Sequence, residues 1–340
     1  MKVSIASLGA EPSARFLDQV RLAERLGFHA FFHNDKKWAQ DVYARLGAAA
    51  QVSSRIGLGI SATDPYTRHP ALTAQAAATI AEMAPGRFRV VIGSGSHFES
   101  LPGTEPIKPV TALREAIGLM RKLWAGERVT LDGEVIKFSN GALDAKPTAV
   151  PQVYIASRGP MILKLAGNIA DGAMIGSFAT PTGIAYAKSH IEKGLAAAGR
   201  GWADLPLISW LYVSVLDRAD DPVPPAVLRG VSFALWSSRA VLGKMIDELA
   251  PDASAEFRVF MRDAPHAWSA EIMDELRRLM PRGIVDSLAV VGTDEQVAAR
   301  FKALENAGIS EVVIWPFPAD GQTTEQFIER VATAVIPKVS

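Results

Sequence analysis

Residues 61–70 read SATDPYTRHP, an acid before the first of two prolines and an aromatic, a cation and an imidazole crowded between them, at the end of an apolar run. Other apolar runs end in a similar way. The run 29–34 closes in Asn34 and passes into Asp35 and Lys36. The run 56–62 closes in Ser61 and Ala62 with Thr63 next, and 88–95 closes in Gly93, Ser94 and Gly95. The run 152–157 ends in Ala156 and Ser157, followed by Arg158 and Gly159, and 172–177 ends in Gly176 and Ser177. Asp35 and Lys36 are the pair able to move a proton or meet developing charge. Asp35 is equally placed to cap the next helix, and Lys36 to hold an anionic tail. The remaining residues are small and offer mainly backbone, which suits a large flat cofactor that must approach the chain closely. Arg158 and Gly159 precede a helical pattern and could hold a phosphate there. His69, directly before Pro70, reads as a hydrogen-bonded structural histidine.

Several chemistries are absent. The chain has no cysteine, which excludes disulfides, thiol catalysis and thiolate metal sites. The histidines at 29, 33, 69, 97, 190 and 266 show no ligand spacing, and no HExxH occurs. GSGSHF at 93–98 lacks the third glycine of a dinucleotide fingerprint.

These residues need elements to position them. Apolar runs at 3–7, 29–34, 56–62, 88–95, 152–157, 172–177, 206–215 and 311–316 alternate with helical patterns at 13–27, 39–52, 69–84, 160–170, 182–199 and 293–308. Such alternation predicts a parallel sheet covered by helices. Eight principal strands, with 288–292 as an accessory, predict an α/β fold of the (β/α)8 TIM-barrel type, whose active site lies where strands end. An open doubly wound sheet is the alternative. Two insertions interrupt the rhythm, about 96–150 after the fourth strand and 216–287 after the seventh. The first carries a helix at 111–126 and a hairpin with Asp132-Gly133 as a tight turn. The second carries Phe233, Trp236, Phe257, Phe260, His266 and Trp268, aromatics expected as ordinary core rather than stacking groups unless the segment covers the barrel mouth.

Composition sets the bounds. The chain has 340 residues, 49% apolar, ample for one domain spanning 1–340. Cationic and acidic side chains number 36 each, so neither nucleic acid nor an acidic membrane surface is an expected partner. The first residues lack a secretory-signal pattern, and no apolar run reaches the ~18–20 residues of a membrane span. A soluble cytoplasmic protein acting on a small molecule is expected.

Several segments resemble the bacterial-luciferase-like superfamily: AERLGFHAFFHND, GLGISATDPYTRHP, APGRFRVVIGSG, VPQVYIASRGPMILKLAGNIADGAMIG and VVGTDEQVAARFKALENAGISEVVIWP. Within it, DPYTRHP is most similar to the methylenetetrahydromethanopterin reductase branch. That resemblance implies coenzyme F420, a 5-deazaflavin, as cofactor. It also implies a non-prolyl cis peptide at Ser61–Ala62 behind the ring, and a homodimer. Ala6 stands where the branch carries an acid, and Lys36 where the superfamily carries a histidine after the aspartate. The cofactor class therefore transfers better than the substrate. The implied activity is hydride transfer between F420 and an unidentified alkene, imine or carbonyl. An FMN-dependent monooxygenase and a non-enzymatic flavin or deazaflavin binder are the alternatives.

Overall fold

The computed structural model describes residues 1–7, 9–95, 101–265 and 269–339; His97, His266 and Trp268 lie outside them. Among the described residues the strands are β1 (Lys2–Ser7), β2 (Ala30–His33), β3 (Gly57–Thr63), β4 (Phe88–Ile92), β5 (Val129–Asp132), β6 (Lys137–Gly141), β7 (Gln152–Ser157), β8 (Gly172–Gly176), β9 (Leu207–Val215), β10 (Ala289–Gly292) and β11 (Glu311–Pro316). The hydrogen-bonded order is β10-β9-β11-β1-β2-β3-β4-β7-β8, and β9 also pairs with β8. Eight strands thus return on themselves and β10 is an accessory beside β9, the (β/α)8 class expected from the alternation. The pairings of β1, β2, β3, β4 and β7, and those of β9 with β10 and β11, are all parallel. Parallel strands covered on both faces must be apolar throughout, which is why the strands read as continuous apolar runs rather than alternating ones.

Two compact units can be distinguished. One comprises residues 4–174 and 190–206. Most of β1, with β2, β3, β4 and β7, forms its sheet, in register as Ile5↔Phe31, Phe32↔Gly59, Ile60↔Val90 and Val90↔Val153. Helix Ser13–Arg25 buries Phe16, Gln19, Val20 and Ala23, a spacing that puts one stripe on the sheet. Gly27, at φ +80°, follows its end, a conformation glycine adopts without steric cost. Helix Val42–Val52 begins later than its apolar pattern, because the Asp41 side chain caps it by accepting from Ala44 N at 2.8 Å.

The same unit carries the hairpin β5–β6, and its turn differs from the expected two-residue one. Asp132 pairs with Lys137, so residues 133–136 form the turn. The Glu115 carboxylate of helix Pro109–Trp124 accepts from the backbone N–H groups of Glu134, Val135 and Ile136 at 2.7, 3.0 and 2.8 Å. A tertiary acceptor, not the local dipeptide, selects the turn. Gly133 fits because a Cβ there would overlap that carboxylate.

The other unit comprises residues 1–3, 175–189 and 207–340 and holds β9, β10 and β11. Its insertion is helical, with segments Pro225–Ser237, Arg239–Leu242, Ile246–Leu249, Ala255–Asp263, Ala270–Leu279 and Arg282–Leu288. Phe257 and Trp236 of that insertion are buried, as core aromatics should be. Helix Asp294–Asn306 starts with a reciprocal cap between Thr293 and Gln296.

Candidate active site

The strand-end residues of the first unit come together through neighbouring strands. A cis peptide joins Ser61 and Ala62 in β3. The β3–β4 register shifts between Ile60 and Thr63, and Thr63 then pairs with Ile92. Thr63 O accepts from Gly93 N at 2.9 Å, which draws the ends of β3 and β4 together. Gly93 is buried, and a Cβ there would stand 3.1 Å from Ala156 O at the end of β7. Beyond β7, Ser157 Oγ accepts from Gly159 N at 2.9 Å, shaping the entry to helix Pro160–Ile169. Arg158 is half-buried at that entry. Ser94 is half-buried and Gly95, at φ +74°, is exposed. Gly176 and Ser177 belong to the other unit, where both are buried. Ser177 has φ +56° and donates its N–H to Trp210 O at 2.7 Å.

Asp35 follows β2 and is mostly buried. Burial pushes its carboxyl above the ordinary aspartate range, and the charges of Asp64 and Asp41 push the same way. The Thr63 hydroxyl and the Lys37 ammonium oppose them. Lys36 is exposed to solvent. Its neighbour Lys37 turns inward instead, its Nζ 2.6 Å from Asp64 Oδ2, with only 11% and 1% of the two side chains exposed. Sequence reasoning passed over Lys37, because nothing in the pair Lys36-Lys37 says which of two adjacent cations faces in. It also passed over Tyr43, whose hydroxyl donates to Thr73 Oγ1 at 3.5 Å and is pushed up to about 12, chiefly by burial.

DPYTRHP turns out to be chiefly structural. Asp64 Oδ1 accepts from Tyr66 N and Thr67 N at 2.9 and 2.8 Å, and Oδ2 from Thr67 Oγ1 at 2.9 Å, an Asx turn that leaves the strand. Tyr66 donates its hydroxyl to Ile107 O at 2.9 Å. The Arg68 guanidinium lies 4.3 Å over the Tyr43 ring. His69 Nδ1 accepts from Ala71 N at 3.2 Å, capping helix Pro70–Met83, and Nε2 meets Lys137 O at 2.9 Å. A proton on Nε2 satisfies both bonds, so His69 is the structural histidine its position suggests. Among the described residues no group of histidine and carboxylate side chains could hold a metal ion, and no helix is long and apolar enough to cross a membrane.

The luciferase-like monooxygenase family model matches residues 2–311. The chain is similar to a 5,10-methylenetetrahydromethanopterin reductase of Archaeoglobus fulgidus, 31% identical over 326 residues, covering 94% of each protein. It is also similar to an F420-dependent glucose-6-phosphate dehydrogenase of Microbacterium testaceum, 27% identical over 95% of this chain and 92% of that protein. Among solved structures, the coenzyme F420-dependent tetrahydromethanopterin reductase of Methanopyrus kandleri superposes with a TM-score of 0.82 at 23% identity, over 100% of this chain and 99% of that one. That likeness concerns the fold. The family match and the 31% relative extend over nearly the whole chain, and the chain belongs to the luciferase-like monooxygenase family.

Proposed function

We propose that the protein is an oxidoreductase that uses coenzyme F420 to transfer a hydride to or from a small alkene, imine or carbonyl compound. Its relatives are by name 5,10-methylenetetrahydromethanopterin reductases and F420-dependent dehydrogenases. The observation that carries the proposal is one strand-end arrangement within a single unit. Asp35, whose carboxyl pKa is raised by burial against the opposing Thr63 hydroxyl, stands at the end of β2, beside the β3 end where Thr63 directly follows the cis Ser61–Ala62 bond.

The residues present fit such a cofactor. Ser61 is fully buried and its hydroxyl has no partner among the described residues, an acceptor and donor available to a polar ring edge. Gly93 leaves backbone open where any side chain would crowd Ala156. Gly159 has only Ser157 Oγ near its missing Cβ, and with Arg158 and the helix start it suits an anionic tail. When bound, F420 supplies or accepts a hydride. Ser61, Ala62 and Thr63 would hold the ring, and Ser94 and Gly95 would flank it. Ala156, Ser157, Arg158 and Gly159 would hold the tail. Asp35 Oδ holds the proton that neutralises the charge left on the substrate, and its raised pKa keeps that proton in place to higher pH than an ordinary aspartate would.

Fluorescence quenching of purified protein with F420 and, separately, with FMN tests the proposal. Saturable binding of F420 in preference to FMN is expected. Tight binding of FMN without F420 would replace it with a flavin monooxygenase.

A further inference from the structure

We infer that Lys37, anchored on Asp64, is a positioning residue that fixes the Asp35 carboxyl at the mouth of β2 and β3. The inference rests on the role given to Asp35 above. It stands on geometry. Asp35 and Lys37 leave the end of β2 two residues apart, and Asp64 leaves the end of β3. Among the described residues two charge pairs link these loops, and of them the Lys37–Asp64 bond, 2.6 Å long, is nearly shut off from solvent, whereas Arg68 and Asp41 stand 3.9 Å apart with much of both side chains exposed. Asp64 cannot drift to meet it, because two backbone N–H groups and the Thr67 hydroxyl already hold its carboxylate. Lys37 is thereby pinned to a rigid turn, and it ties down the loop that carries Asp35 two residues before it.

The pair is also more than a surface ion pair. Exposed pairs contribute little to stability, because water screens them and two long side chains lose freedom. A pair this buried has given up its hydration and is retained at a cost. Its placement beside the one strand-end carboxyl with a raised pKa gives that cost a use. The charged and titratable groups facing Asp35 come from three sides. Lys37 lies on its own loop, Asp64 at the end of β3, and Asp41 with Tyr43 at the start of helix Val42–Val52. Lys37 is the cation on Asp35's own loop, and the other nearby cation, Arg68, is engaged over the Tyr43 ring and 3.9 Å from Asp41.

The test titrates Asp35 directly by carbon-13 NMR of its carboxyl in the full-length protein, with the signal assigned by Asp35→Asn. In Lys37→Met the titration midpoint moves to higher pH, and Lys37→Arg restores it toward the wild-type position. In an Asp64→Asn background, Lys37→Met loses most of its effect, since its anchor is already gone. If Lys37→Met does not fold, Lys37→Gln takes its place in the same cycle. An unchanged midpoint in Lys37→Met overturns the inference, and so does an equal effect in both backgrounds. Turnover that survives Asp35→Asn would remove the catalytic role of Asp35 while leaving this titration result readable by itself.

Discussion

Glu24, in the last turn of helix Ser13–Arg25, holds the turn that feeds β3. Its Oε2 accepts from Ser54 N, Arg55 N and Ile56 N at 3.0, 2.9 and 2.9 Å, and the Ser54 hydroxyl adds a longer bond to Oε1 at 3.3 Å. Burial acts to raise its pKa, but the N–H groups of Ile56, Arg55 and Ser54 win and lower it from 4.5 to about 2. A drop of that size corresponds to about 3 kcal/mol of folding free energy if fully realised. The carboxylate is partly open to water, so roughly half of that, about 1.5 kcal/mol, is a sounder expectation. Because the folded pKa is depressed, the stabilisation is fully present above 4.5 and is lost as pH falls toward 2. Glu24→Gln keeps the shape and one acceptor but removes the charge. Urea unfolding followed by circular dichroism should show the variant less stable by about 1.5 kcal/mol at about pH 7, with less than half of that gap left at about pH 3. An equal gap at both pH values would mean that charge has no part in holding the turn. No gap at neutral pH would mean that the three N–H groups do not need this acceptor.

Arg158→Ala should weaken F420 binding roughly tenfold or more, the loss of one charge-assisted hydrogen bond; an unchanged dissociation constant by fluorescence quenching would move the anionic tail elsewhere. Asp35→Asn should raise the thermal midpoint at neutral pH while abolishing turnover. The raised pKa means the folded state resists ionising Asp35, so stability falls as pH rises through that pKa, and the variant escapes this penalty. Calorimetry showing a lower midpoint at neutral pH would contradict it. Gly194→Ala should destabilise by roughly 2 kcal/mol or more despite alanine's better helix propensity. A Cβ at Gly194 would overlap Lys164 O of the adjacent helix, as one at Gly167 would overlap Ile191 O. A rise in the denaturation midpoint would show that the two helices can separate at little cost.

The family and the barrel were legible in the amino-acid order, because parallel strands buried on both faces must be apolar, and the proposed site was sought at the residues just past them for the same reason. Ser61–Ala62 carries the cis bond expected from the resemblance of GLGISATDPYTRHP to its relatives. Residues 288–292 fell into place as an accessory to the ring of eight strands. What local order could not decide were choices made by distant groups. Lys36 and Lys37 are identical side chains one position apart, and only the Asp64 carboxylate, fixed by its own turn, determines that Lys37 faces in and Lys36 faces water. Asp132-Gly133 carries a tight-turn signal, yet Glu115 from another helix takes the N–H groups of a longer turn. The raised pKa of Asp35 is likewise a property of the burial and carboxylates around it, which no stretch of sequence contains. Sequence order decides which residues end each strand; packing decides which of them meet, because a buried charge or N–H must find a partner and the nearest one in space is seldom the nearest one in the chain.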